Sequence, residues 1–177
     1  MEKALGRWQL AGFLFTSVLG TFLHFLFDLS GQTVVAALFS AVNESIWEHM
    51  KLLYYPMVLF AVIEYFFGGK HIPGFWCKKL AGIFLSLSLI PVLYYTYTGA
   101  LGGAADWFNV TIFFIAAAAV YWTETKLFQK NTDCPLPGWA AFTLVCLIGV
   151  LFTVLTFLPP HIPFFRDPLT GTYGFQQ

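Results

Sequence analysis

The sequence predicts an all-α, polytopic membrane protein with five transmembrane helices and one short helix between the first two. Of its 177 residues, 58% are hydrophobic and 20% are aromatic. Charged residues make up only 10% and gather in short segments between long apolar runs. A soluble domain of this size needs polar residues over most of its surface, so the composition excludes that class. A nucleic-acid partner is also excluded, because basic and acidic residues are equally numerous and leave no basic face.

Five apolar segments are long enough to cross a hydrocarbon core, which takes about 20 residues at a rise of about 1.5 Å each. In chain order they cover residues 8–29, 46–67, 75–97, 107–128 and 139–158. Residues 159–177 then form a tail rich in proline, glycine and aromatic residues. We interpret residues 1–177 as a single membrane domain.

The segment from Gly31 to Val42 is apolar but only about a dozen residues long. A segment of that length cannot span a bilayer alone. We therefore expect an interfacial or re-entrant helix between the first two spans.

Basic residues are distributed unequally between the two sides of the predicted bundle. Seven lie on the side of the N-terminus and two on the other; the seven are Lys3, Arg7, Lys70, Lys78, Lys79, Lys126 and Lys130, and the two are Lys51 and Arg166. The positive-inside rule then predicts a cytoplasmic N-terminus and an extracytoplasmic C-terminus.

Other polar residues near the cytoplasmic side are expected to have ordinary structural roles. Lys78 and Lys79 are predicted to snorkel to the interface at the start of the third span. Glu64 is predicted to reach cytoplasmic water near Lys70. The three cysteines are far apart without a paired spacing, which supports neither a disulfide framework nor a cysteine metal site. They are Cys77, Cys134 and Cys146.

The outer ends of the first two spans carry most of the groups that could perform chemistry. His24 and Asp28 lie four residues apart and therefore share a helix face, about one turn beneath the outer boundary. Glu44, Glu48 and His49 lie at the start of the second span. Two imidazoles and three carboxylates suit zinc, manganese or iron, and equally a proton relay. We predict that His24, Asp28, Glu44 and His49 are catalytic, and that His24, Asp28, Glu48 and His49 are the ligands of a divalent metal.

Glu48 has two structural explanations as well. Ser45 and Glu48 match a capping box, in which the serine hydroxyl accepts from a free amide and the glutamate reaches back to another. Glu48 and Lys51 could also form an ordinary ion pair on the helix surface.

The tail contains polar groups and aromatic rings that favour burial. It could fold back over the outer mouth as a lid, or lie in the headgroup interface. The lid residues would be His161, Arg166, Asp167 and Tyr173.

Three motifs carry a resemblance to a known family: His24-x-x-x-Asp28, Asn43-Glu44-Ser45-x-Trp47-Glu48-His49-x-Lys51-Leu52, and Pro160-His161-Ile162-Pro163 followed by Asp167-Pro168-x-Thr170-Gly171-x-Tyr173-Gly174. With them the chain resembles a family of small bacterial integral membrane proteins known only as a domain of unknown function. The resemblance extends over nearly the whole chain. It implies a bacterial multi-span protein, and with it a location in the inner membrane of a bacterial cell, but it supplies no activity.

Three functions are compatible with these residues. The first is a metal-dependent or acid/base enzyme with an outward-facing pocket and a lipid-like or small apolar substrate. The second is a transporter or channel component for a cation or proton. The third is a structural or partner-binding subunit in which the polar groups are caps and salt bridges. Each implies a lipid bilayer as the environment and is compatible with an oligomer.

Overall fold

The computed structural model describes residues 2–103, 106–130 and 133–176, and these ranges contain six α-helices. The helices are α1 (Glu2–Leu29), α2 (Val34–Phe39), α3 (Ile46–Phe67), α4 (Phe75–Leu101), α5 (Asp106–Gln129) and α6 (Gly138–Phe157). All of them except α2 contain a segment long and apolar enough to cross a membrane. The predicted all-α fold, with five spans and a short helix between the first two, is confirmed.

The five long helices alternate in direction and pack into one bundle, in which α1 contacts α3 and α5, and α4 contacts α3, α5 and α6. One end of the bundle, which we call the basic end, contains the start of α1 and the connections from α3 to α4 and from α5 to α6. The opposite end, the tail end, contains α2, the connection from α4 to α5, and the C-terminal tail.

Helix α3 lies at the centre of the bundle, and more than half of its spanning segment is buried. Its Tyr54 hydroxyl donates to the carbonyl of Val145 on α6, and its ring packs on Phe152 of the same helix. On the opposite side α1 approaches α3 closely at Gly20, where a Cβ atom would lie 2.5 Å from the Leu52 carbonyl oxygen. Any larger residue at position 20 would therefore push these two helices apart.

The short helix α2 begins at Thr33, whose side chain accepts a hydrogen bond from the amide of Ala36. Ala36 and Ala37 are buried, whereas Val35 is 70% exposed. This apolar exposure at the tail end is typical of a helix at a membrane interface.

Two predictions for the basic end are wrong. Lys78 and Lys79 do not snorkel but are buried. The Lys79 ammonium nitrogen lies 2.6 Å from carboxylate oxygens of both Glu64 and Glu124. Glu64 is also buried rather than hydrated beside Lys70. The physical reason is that α4 and α5 cover this part of α3, so the charges pair with one another instead of reaching water.

The prediction about the cysteines is also wrong for two of the three. Cys77 at the start of α4 and Cys134 before α6 form a disulfide, with their Cα atoms 6.2 Å apart. Their separation of 57 residues along the chain gave no indication of this contact. Cys146 is a free thiol on an exposed face of α6.

Candidate functional site

The tail end brings together three of the predicted site residues. His24 comes from the last turns of α1, His49 from the first turn of α3, and Glu44 from the loop before α3. The Nε2 atom of His24 lies 3.9 Å from one oxygen of Glu44, and Nε2 of His49 lies 3.4 Å from the other. The two imidazole rings are 5.4 Å apart between centroids. All three side chains are half-buried.

A backbone carbonyl orients the ring of His49 in this arrangement. Its Nδ1 atom lies 3.0 Å from the carbonyl oxygen of Ser45. Because a carbonyl oxygen only accepts, Nδ1 donates this bond, and Nε2 is the ring nitrogen that faces Glu44. Metal-binding histidines typically have this arrangement, in which a backbone carbonyl orients the ring.

The distances among the three residues fit a divalent metal. One ligand atom from each residue lies within 4.8 Å of the other two. Bonds of about 2.0–2.1 Å in a tetrahedral site place neighbouring ligand atoms about 3.4 Å apart. Nε2 of His49 is already 3.4 Å from one Glu44 oxygen, whereas the 3.9 Å from His24 is to the other oxygen. With one ligand atom from each residue the three atoms lie within 4.8 Å of one another, so they would move closer by up to about 1.4 Å around an ion.

A cavity of about 370 Å³ lies beside these three residues, between α1, α3 and α5. Its wall is mainly apolar and includes Phe25, Val110 and Phe114, which are all exposed on the outside of the bundle. The cavity therefore reaches the surface that would face lipid. Leu169 from the tail also lines it.

Two buried polar atoms at this cavity have no hydrogen-bond partner among the described residues. They are Nδ1 of His24 and Oδ1 of Asn109. A buried polar atom without a partner is costly, and such atoms are commonly satisfied by water or a bound ligand. Sequence reasoning did not select Asn109 as a site residue; the signal was an amide only three residues into a predicted span.

Asp28 is not part of the group of three. It is exposed near the end of α1, where the Gln32 amide donates to its carboxylate over 3.4 Å. Its position on the same helix face as His24 does not bring it to the cavity wall, because His24 lies one turn deeper in α1.

Glu48 lies in a different, fully buried network. Its carboxylate is 2.6 Å from the ammonium of Lys51 and accepts hydrogen bonds from the Thr156 hydroxyl and the Val42 amide. Lys51 in turn donates to Thr156 and to the Ala37 carbonyl. The pair is therefore internal, not an ordinary surface pair.

The capping box is formed only in part. The Ser45 hydroxyl accepts from the Glu48 amide, as predicted. The Ser45 amide donates to the Asn43 side chain instead of to Glu48. Glu48 is therefore free to hold Val42 and Thr156.

The tail folds back over the tail end of the bundle. The ring of Phe165 packs against Trp47, the Phe175 amide donates to the Thr156 carbonyl, and the Gly174 carbonyl accepts from Asn43. Gly174 has a positive φ of 57°, and a Cβ there would lie 2.4 Å from the Thr156 carbonyl oxygen. The tail is therefore seated by specific contacts on α3 and α6.

The four predicted lid residues have different surroundings. Arg166 lines a second cavity together with Glu44. Asp167 is buried and accepts hydrogen bonds from the Leu169 and Thr170 amides, which stabilises a turn in the tail. His161 packs against the ring of Tyr173, with 4.7 Å between the centroids.

Comparison with known proteins identifies a family but no activity. The model of a family of unknown function (DUF6512) matches residues 1–175. No curated protein and no solved structure matches the chain.

The Glu48 network gives a prediction about stability. Glu48→Gln leaves the Lys51 ammonium buried without a counter-charge, so it should destabilise the fold by about 3–5 kcal/mol. The double variant Glu48→Gln with Lys51→Met removes both charges and should be less destabilised than the single variant. Thermal unfolding in detergent measures both effects.

The matched control for this prediction is Asp28→Asn, which removes an exposed carboxylate at the same end. Its stability should stay within about 0.5 kcal/mol of the wild type. A double variant less stable than Glu48→Gln would contradict the assignment of Glu48 and Lys51 as a buried charge pair.

Proposed function

This chain belongs to the DUF6512 family, a family of unknown function, and we propose that it is a metal-dependent membrane enzyme with a lipid-like substrate. His24, Glu44 and His49 would hold one divalent metal. The observation that carries the proposal is the convergence of their three ligand atoms within 4.8 Å, at the wall of an apolar cavity of about 370 Å³.

The donor set supports a catalytic metal more than a structural one. Structural zinc sites usually have four protein ligands, whereas catalytic sites have three and leave one position for water or substrate. Two imidazoles and one carboxylate suit zinc, and also manganese or iron. A metal bound here would lower the pKa of a bound water or polarise a substrate carbonyl or phosphoryl oxygen.

Residues around the three ligands would orient a ligand side chain and bind the substrate. Ser45 orients the His49 ring through its carbonyl. Asn109 places an unpartnered amide oxygen at the cavity, where it could accept a hydrogen bond from a substrate hydroxyl or amide. Phe113 forms an apolar wall beside them.

The position of the cavity supports a lipid-like substrate. Its opening lies between α1 and α5, among exposed apolar side chains such as Phe25 and Val110. An apolar chain could enter from the bilayer without crossing water, and its polar end would then lie near the ligands. A volume of about 370 Å³ falls within the usual range of small-molecule sites.

Metal analysis of the purified protein tests this function. Wild-type protein loaded with zinc and then dialysed should retain about one ion per chain. His24→Ala and His49→Ala should each weaken binding by more than about 100-fold, since even loss of an outer-shell partner costs about 10–100-fold.

The matched control is His161→Ala, because His161 is a tail histidine that packs on Tyr173 outside the group of three. It should bind zinc like the wild type. Wild-type protein that retains no stoichiometric zinc, manganese or iron would exclude the metal-dependent function.

A second candidate function is transport of a proton or cation, and a row of polar side chains along α1 favours it. Gln9, Thr16 and Ser17 are buried in the bundle, and Thr21 and His24 continue the row to the cavity. The Thr16 hydroxyl is 2.7 Å from that of Tyr121 on α5. This row extends from the basic end to the His24 site, and buried polar groups in spanning helices often mark such routes.

Transport predicts proton flux into proteoliposomes that contain the purified protein. Thr16→Val should abolish most of the flux, because it removes the hydroxyl at the middle of the row. Thr111→Val is the matched control, since Thr111 on α5 is only partly buried and its hydroxyl donates to the Trp107 carbonyl of its own helix. Absence of flux in the wild type would exclude this function, and absence of both metal and flux would favour a structural subunit.

The proposed location is the inner membrane of a bacterium, with the basic end in the cytoplasm and the tail end outside. The distribution of lysine and arginine supports this orientation. The disulfide between Cys77 and Cys134 is an opposing observation, because disulfides are rare in a reducing cytosol.

Thiol labelling of Cys134 tests the orientation. A membrane-impermeant maleimide should label Cys134 in inside-out vesicles and not in intact spheroplasts. Where the disulfide is intact, labelling should occur only after reduction. Cys77→Ser serves as a control, because it leaves Cys134 without its disulfide partner and reactive in the absence of a reductant. Labelling of Cys134 in intact spheroplasts would reverse the orientation and place the disulfide on the oxidising side.

A further inference from the structure

A second buried group of ionisable residues lies at the basic end, far from the His24 site. Glu64 on α3, Lys79 on α4 and Glu124 on α5 meet there, and both carboxylates lie 2.6 Å from the Lys79 ammonium. Gln9 on α1 donates to the other oxygen of Glu64 over 3.2 Å. The side chains of the three charged residues are only 1–6% exposed. Four helices therefore enclose this group.

The charges of the group do not balance if every member is ionised. Two carboxylates and one ammonium sum to a net charge of −1. An isolated net charge inside an apolar bundle costs several kcal/mol, and a carboxylate pair that shares one site avoids the cost when one of the two carries a proton. One proton per group makes the sum zero.

Among the residues whose side chains the structure describes, no second cation pairs with either glutamate. The Lys79 nitrogen is surrounded by the rings of Phe75, Tyr121 and Phe128, at 5.5–5.8 Å from their centroids. Tyr121 has its hydroxyl bonded to Thr16. The ammonium of Lys78, the nearest other cation along α4, lies 5.6 Å from the Phe128 centroid, has no hydrogen-bond partner among the described residues, and forms no ion pair with either glutamate.

The packing of α4 against α5 is adapted to this group. Gly82 lies on α4 opposite Glu124, and a Cβ atom there would lie 2.6 Å from the carboxylate oxygen Oε1 of Glu124. Glycine at this position lets the carboxyl group lie directly against the α4 backbone. Gly99, farther along α4, has nothing within 4 Å of such an atom, so the close approach is specific to the position facing Glu124.

We propose that Glu64, Lys79 and Glu124 form a proton-binding site that holds one exchangeable proton on its carboxyl pair. The proton comes from water at the basic end and converts one carboxylate to a neutral carboxylic acid, with Lys79 paired to the other. Gln9 supports this role: its Oε1 atom is buried and has no partner among the described residues, so a rotated amide could accept a hydrogen bond from a protonated Glu64. The site is independent of the metal proposed at the tail end.

Infrared spectroscopy of the purified protein at neutral pH tests the proposal. The wild type should show the carbonyl stretching band of a protonated carboxylic acid, and the band should shift in deuterated water. Glu64→Gln and Glu124→Gln should each abolish it, because either variant leaves one carboxylate paired with Lys79. Asp28→Asn, which removes an exposed carboxylate, should leave the band unchanged.

Stability provides a second measurement that does not depend on the spectra. If one carboxyl group is already neutral, each single glutamine variant keeps the charge balance and should change the melting temperature by no more than about 4 °C. The double variant Glu64→Gln with Glu124→Gln leaves Lys79 without a counter-charge and should be much less stable than the sum of the singles predicts.

Two results would overturn the proposal. The first is spectroscopic: either the wild type shows no protonated-acid band, or the band survives one of the single substitutions. The other is a strong loss of stability in both single variants, equal to that of the double variant, which would mean that both carboxylates are ionised. Absence of bound metal in the wild type would refute the proposed function but would say nothing about this proton-binding site. The two proposals can therefore be refuted independently.

Discussion

The tail end depends on one buried ion pair, that of Glu48 with Lys51. Both side chains are essentially inaccessible, and their additional hydrogen bonds reach three other parts of the chain. Glu48 accepts from the Val42 amide, Lys51 donates to the Ala37 carbonyl, and both bond to the Thr156 hydroxyl. A buried pair offsets its desolvation cost only when its remaining donors and acceptors are satisfied. Here that requirement joins α2, the loop before α3, and α6, and so determines where the loop presents Glu44 next to His49.

The tail completes the same end of the molecule by burying aromatic rings. Phe165 covers Trp47, and Phe175 lies between Phe27 and Phe157. These rings close the end of the bundle, while the His24 cavity remains open on its side between α1 and α5. The packing therefore determines how a ligand could reach the cavity. The tail covers the end of the bundle, and the cavity is open to an apolar ligand from the lipid-facing side.

The two ends of the bundle handle buried charge differently. At the tail end the carboxylate of Glu48 has one ammonium partner, so the pair is neutral. At the basic end two carboxylates share Lys79, and neutrality requires a proton. The basic end also contains the disulfide. The many basic residues of this end favour a cytoplasmic location, whereas a disulfide favours an oxidising compartment, so the two observations support opposite orientations.

The sequence by itself determined the five spans and the short helix, because crossing a hydrocarbon core requires about 20 apolar residues and 31–42 is too short. It also singled out His24, Asp28, Glu44, Glu48 and His49, since few polar groups occur near spans without a reason, but only the tertiary structure shows that His24, Glu44 and His49 lie together. Only the tertiary structure shows which residues these polar side chains contact. Helix periodicity places Glu48 and Lys51 on one face but says nothing of Thr156, 108 residues away. It likewise could not pair Lys79 with two glutamates or Cys77 with Cys134, because those contacts depend on which helices pack together and in what register.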